Sequence, residues 1–191
     1  MPALTTLQAR DYYIINSMAQ FLGRKVKTAY DIEVALTFGA NEDISKALTI
    51  DLGRPDDPNI ATNAPIIAID VLEGTERDRY YEVGSAIIWR HMNFVFYCYP
   101  SLNQFSTPSL TAALLLRTYM RDAFGGECIQ IMDYSNPGFN PNAPTFCSEV
   151  MYIVNVTDPM NRGEKTTLAL ERHRFDMHVQ VKYPVSESLT T

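Results

Sequence analysis

Arg172-His-Arg-Phe-Asp-Met-His-Val-Gln-Val-Lys-Tyr183 alternates almost without a slip. His173, Phe175, Met177, Val179, Val181 and Tyr183 fall on one side, and Arg172, Arg174, Asp176, His178, Gln180 and Lys182 on the other. Side chains of a strand point to opposite faces with period two, so this stretch predicts a long strand, apolar inward and charged outward. It is expected to stop at Pro184, which cannot donate to a ladder. A domain that closes on a long strand with a charged outer face is built for assembly more readily than for chemistry.

Working back from that strand, Glu149 to Val156 and a turn over 158–165, containing Pro159 and Gly163, complete a C-terminal hairpin. Cys128 to Met132 reads as a strand and 134–144 as a Pro- and Asn-rich loop. Thr107-Pro108 opens a helix with a cap and a proline at its first position. Its stripe is Leu110, Ala113, Leu114, Leu116, Met120, Ala123 and Phe124, and Gly125-Gly126 ends it. Tyr80 to Tyr99 is a long extended region with a bulge or break at Gly84-Ser85. Within it Trp89, His91, Asn93, Val95 and Tyr97 oppose Arg90, Met92, Phe94, Phe96 and Cys98, so both faces are partly apolar and the strand is central. Ile66 to Leu72 is a strand leading into a charged tip, Glu73-Gly-Thr-Glu-Arg-Asp-Arg79.

At the other end, Thr6 to Leu22 predicts a helix with Leu7, Ile14, Met18, Phe21 and Leu22 on its apolar stripe. Gly23 would supply a left-handed stop, and Arg24, Lys25 and Lys27 follow near the negative end of the dipole. Tyr30, Ile32, Val34, Leu36 and Phe38 alternate with smaller or polar residues and predict a strand, although Ala35 and Leu36 tolerate a helix. Glu42 to Leu52 is ambiguous, with a short helix to about Leu48 as the choice. The segment 53–65 holds three prolines, two adjacent aspartates and two asparagines and is a loop long enough to serve function or assembly. The expectation is one α+β domain over 1–191: an antiparallel (mixed) sheet, two main helices on one face, long loops at 53–65 and 134–144, and a C-terminal β-hairpin.

Composition bounds the function classes. A hydrophobic share of 46% and a charged share of 20% are those of a packed globular chain. A net charge of −6 speaks against a nucleic-acid-binding module, which needs a basic face, yet an acidic wall suits DNA passing without adhering. Eleven tyrosines fit either a sheet or interfaces. Met1 to Leu22 lacks the long apolar core of a signal peptide, and Leu110 to Leu116 is too short to span a bilayer, so a soluble protein is expected. Cys98, Cys128 and Cys147 are odd in number and widely spaced, as in a reduced compartment.

The candidate constellations for chemistry are weak. His173 and His178 are five apart, on opposite faces of a strand, and His91 would have to join them for a metal. Cys98 follows Phe96-Tyr97 and is simplest as a buried small residue. Asp56-Asp57 and Glu76 to Arg79 do not match a calcium loop, and turn formation explains Asp-Asp-Pro-Asn. No phosphate-cradling glycine motif and no nucleophile elbow occur. Arg172, Arg174 and Lys182, interrupted by Asp176, form either a solvated strand face or a subunit contact. The reading is therefore of a protein without catalytic, cofactor or metal residues.

The order of elements resembles the tail-terminator and tail-completion (neck) proteins of long-tailed bacteriophages. Ala64-Pro-Ile-Ile-Ala-Ile-Asp-Val-Leu72, Ser109 to Phe124 and His173 to Tyr183 carry the resemblance as a pattern over most of the chain, and the two long loops hold its extra length. The resemblance implies a virion protein of the tail or neck, assembled in the host cytoplasm as a homo-hexameric ring. It would contact the tail tube protein below and a head-completion or connector protein above. DNA would pass through the lumen without specific binding, and no cofactor, enzymatic activity or membrane is implied. Glu73, Glu76, Arg77, Asp78, Arg79, Asp158, Arg162 and Lys165 would then sit at loop tips that touch the next ring, with Arg172 and Arg174 as further subunit contacts. A head–tail adaptor, a baseplate subunit or a small enzyme are the alternatives.

Overall fold

The computed structural model describes residues 6–39, 47–53, 65–72, 77–82, 85–100, 107–126, 128–134, 138, 140, 142–157, 160–161 and 174–186. Its elements run α1 (Thr6–Leu22), a π-helical segment (Gly23–Lys27), α2 (Thr28–Phe38), β1 (Thr49–Leu52), β2 (Ile66–Leu72), β3 (Arg77–Glu82), β4 (Ser85–Tyr99), α3 (Thr107–Ala123), β5 (Cys128–Met132), β6 (Phe146–Val156), β7 (Met160–Asn161) and β8 (Phe175–Ser186).

The alternation at the C-terminus becomes β8, and its apolar row of Phe175, Met177, Val179, Val181 and Tyr183 is buried. β8 lies against β4 from Cys98 opposite Phe175 to Ile87 opposite Ser186. All strands join one sheet of order β1-β2-β4-β8-β6-β5, with β3 also on β4 and β7 also on β8. β1 runs parallel to β2, and every other pair is antiparallel, so the sheet is mixed. β6 and β8 pair antiparallel as the expected C-terminal hairpin requires, but Met160–Asn161, placed in its turn, form β7 on β8. The α+β class with helices on one sheet face holds.

That helical face is closed by one apolar cluster. Ile14, Met18 and Leu22 of α1, Val26 of the π-helical segment, Tyr30 and Val34 of α2, Ala112, Leu116 and Met120 of α3 and Phe124 just after it meet Met92, Phe94, Phe96 and Cys98 of β4 and the inner row of β8. Phe96 stacks between Phe94 and Phe124, at centroid distances of 6.0 and 5.3 Å. Fully burying one such side chain stabilises by about 1.5–3 kcal/mol.

Four expectations need correction. Tyr30 to Phe38 is helix, not strand, because every second apolar residue also makes two i, i+4 rows. Tyr30 and Val34 form the buried row, while Ile32 and Leu36 stand 57% and 79% exposed. Gly23 does not stop α1, since the chain continues helically to Gly39, whose φ of 61° and N–H bond to the Ala35 carbonyl end α2. The expected extended region with a bulge or break at Gly84-Ser85 is two antiparallel strands, with Glu82 opposite Ser85, and Arg77 to Arg79 of the expected charged tip lie within the first of them, β3. β8 also runs through Pro184, which faces Trp89 on β4. The ladder to β6 ends at Tyr152 opposite Lys182, so Pro184 lies where β8 has β4 alone, and its missing N–H interrupts no described ladder.

Residues 54–64, most of the first long loop, lie outside the described residues, as do 42–46 of the expected short helix and several positions of the 134–144 loop. Leu48 is held at the entry to β1 by α2: its N–H donates to Asp31 Oδ1 at 2.7 Å and its carbonyl accepts from Lys27 Nζ. Lys27 also pairs with Asp31 at 2.8 Å, one helical turn on. Among the described residues, no helix is long and apolar enough to cross a membrane.

Candidate functional site

The second face of the sheet differs from the first. Its rows are set by register. Leu72, Asn93, Gln180 and Asn155 lie across β2, β4, β8 and β6, and His91, Lys182, Tyr152 and Cys128 lie across β4, β8, β6 and β5. The outer row of β8 is not a freely solvated charged face as expected. Asp176 is only 5% exposed, and Arg174, His178, Gln180 and Lys182 are half-buried.

The local partners explain that burial. Arg174 Nε donates to Asp176 Oδ1 at 2.9 Å and its Nη2 to Oδ2 at 3.2 Å, a bidentate pair. Its guanidinium also lies over the rings of Tyr97 and Tyr99, at 5.0 and 5.3 Å from their centroids. Toward the other end of β8, Lys182 Nζ sits 5.3 Å from the Trp89 ring centroid, and Trp89 meets Tyr152 edge-on at 5.8 Å. Tyr152 and Val154 remain exposed beside them, with Val154 at a register shift where β6 carries one extra residue.

A second cluster lies on the helical side. Arg90 follows the buried parity of Met92, Phe94, Phe96 and Cys98, and only 7% of it is exposed. Asp11 of α1 answers its charge at 3.3 Å and also accepts a 2.5 Å hydrogen bond from the Tyr183 hydroxyl. Tyr183 stands opposite Arg90 in the ladder, so one carboxylate ties α1 to both central strands. Burial, then the Asp11 bond, push the Tyr183 phenol well above its ordinary range, against an opposing effect of Arg90. Ser17, also buried on α1, accepts from the Met132 N–H at 2.9 Å and ties the helix to β5.

Of the residues singled out from sequence, Arg174 is placed in the intrachain pair just described. Arg77, Asp78 and Arg79 lie along β3. Glu73, Glu76, Asp158, Arg162, Lys165, Arg172, His173 and the pair Asp56-Asp57 lie outside the described residues. His91 and His178 share the second face but stand opposite Lys182 and Val95, so four positions of β4 separate them. No group of three or more metal-binding side chains gathers among the described residues. Cys98 is buried, and burial, with Asp176 adding and Arg174 opposing, pushes its thiol up and away from the reactive thiolate.

Sequence reasoning missed Asp11, Arg90 and the amide row of Asn93, Asn155 and Gln180. Arg90 did carry a signal: a cation in step with a buried apolar row requires a carboxylate from elsewhere. Asp11, three residues before Ile14 and seven before Met18 on the same stripe, is the residue that answers it. The chain matches no protein-family model and no curated protein.

Proposed function

We propose that this chain is a structural subunit of a bacteriophage virion, a tail terminator or tail-completion protein. It forms a homo-oligomeric ring that caps the tail tube and joins it to the head connector. The observation that supports this reading is the placement of exposed apolar side chains on two different sides of the subunit. Ile32 and Leu36 of α2 and Leu110 and Leu114 of α3 are exposed on the helical layer, while Leu72, Tyr152 and Val154 are exposed in the strands. Grouped exposed apolar side chains mark partner contacts. Two unlike surfaces on opposite sides suit a head-to-tail contact, which closes into a ring when the rotation permits. The net charge of −6 suits a lumen through which DNA slides without adhering.

On this reading the charged positions Glu73, Glu76, Arg77, Asp78, Arg79, Asp158, Arg162 and Lys165 face the neighbouring ring, and Arg172 supports a subunit contact. The triple variant Arg77→Glu, Arg79→Glu, Arg162→Glu should fold and form rings yet fail to join heads to tails in a complementation assay. Normal joining by that variant counts against the assignment.

A further inference from the structure

The second sheet face holds a concavity that runs from Leu72 on β2 to Asn155 on β6. Its volume is about 250 Å³, and the side chains around it are Leu72, Asn93, Asn155, Thr157, His178 and Gln180. Phe94 and Val179 also border it, but their side chains are buried on the helical face, so they present main chain. Four adjacent strands bring these groups level: Leu72 stands opposite Asn93, Asn93 opposite Gln180, and Gln180 opposite Asn155.

The Thr157 hydroxyl is already committed. It accepts the His178 N–H at 2.9 Å and donates to the His178 carbonyl at 3.3 Å, which fixes the rim. Among the described residues, the carboxamides of Asn93, Asn155 and Gln180 have no hydrogen-bond partner in the protein. Three unengaged amides therefore converge on one hollow, each carrying donors and acceptors together.

That chemistry selects its ligand. None of the six side chains carries a fixed charge, so an ion would meet no counter-charge there. An apolar ligand would strip water from the amides and give them nothing in return. Hydroxyl groups, each a donor and an acceptor, match carboxamides one for one. The volume lies just below the roughly 300–1,000 Å³ of drug-sized sites, which suits one sugar ring. Trp89 lies four residues from Asn93 on the same face, about 13 Å at the rise of a strand. Lys182 Nζ lies over the Trp89 ring, and the exposed Tyr152 edge-on to it offers the aromatic surface against which the C–H face of a further ring can pack.

We propose that this face binds a neutral saccharide, with one ring among Asn93, Asn155 and Gln180 and the next extending toward Trp89 and Tyr152. The inference does not depend on ring assembly.

Saturation-transfer NMR on the full chain tests it, with glucose, N-acetylglucosamine and maltotriose as probes and adenosine and acetate as the base and anion controls. Transfer to at least one sugar, and weaker or no transfer to the controls, is expected. Asn93→Ala and Gln180→Ala should each weaken that binding by about tenfold, the worth of one hydrogen bond left unmade. Their circular dichroism and melting temperature should match the parent. Trp89 is the only tryptophan, so its emission should shift with maltotriose and stay unchanged with glucose. Three results would each overturn the proposal: no transfer to any sugar from the parent protein, equal or stronger transfer to adenosine or acetate, or sugar binding unchanged in both folded variants.

Discussion

The same two strands, β4 and β8, present two faces of different character. Toward the helices, Phe94, Phe96, Met177, Val179 and Val181 are buried in one continuous apolar cluster. Toward the other side, Arg174, His178, Gln180 and Lys182 are half-buried, with Arg174 over Tyr97 and Tyr99 and Lys182 over Trp89. Stability is concentrated on the first face. The second has half-covered polar and aromatic groups, the composition that recognition surfaces use. Which side a residue of β4 or β8 occupies therefore decides what its substitution will do.

The largest contrast is expected from Phe96→Ala. Removing a ring stacked between Phe94 and Phe124 should cost about 3–5 kcal/mol in urea unfolding. Gln180→Ala on the opposite face of the neighbouring strand should stay within about 0.5 kcal/mol. Equal losses at the two positions would erase the distinction between the faces.

Asp11→Ala comes next. It strands the buried Arg90 and Tyr183 hydroxyl, and because Asp11 itself is part-exposed the cost should be about 1–3 kcal/mol, below that of a fully buried pair. The same contacts set an alkaline response. Tyr183 and Tyr30 have phenols raised by burial, so they stay protonated in the folded chain while the unfolded chain begins to ionise near pH 10. Their contribution is fully present below about pH 10 and is lost as pH rises from there toward the folded values. Melting temperature measured from pH 8 to 11 should fall above pH 10, less steeply in Tyr183→Phe.

The smallest pair sharpens the reading of the N-terminal helices. Gly23→Ala should stabilise by about 0.5–1 kcal/mol, since the residue is helical and its new methyl would meet only Ile50 Cδ1 at 4.0 Å. Gly39→Ala should destabilise by about 1 kcal/mol because φ there is 61°. Urea titrations of the two variants separate a continuous helix from one that stops at Gly23.

Legibility in the sequence followed locality. β8, β2, α1 and α3 repeat their own period over enough residues to declare themselves; β2, α1 and α3 formed where the pattern placed them, and β8 did so apart from its run through Pro184. α2 did not, because Tyr30, Ile32, Val34, Leu36 and Phe38 satisfy period two and, taken as two rows, i, i+4 as well. Only tertiary burial of Tyr30 and Val34 decides between the two readings. The outer row of β8 fits either a solvated face or a subunit contact in the sequence, because alternation identifies the apolar face and leaves the surroundings of the other undetermined. The Arg174 pair with Asp176 and the rings beside it depend on β4, far away in the chain. The amide hollow is a product of register between four strands, and single-chain periodicity does not encode register.

The proposed assembly of the chain into a ring at the head–tail junction is tested most directly by its mass in solution. Light scattering with negative-stain imaging, alone and with isolated tail tubes, should find a closed species with a central hole. Six protomers of 21.6 kDa would weigh about 130 kDa. A protein that remains a 21.6 kDa monomer both alone and in the presence of tail tubes would contradict the claim.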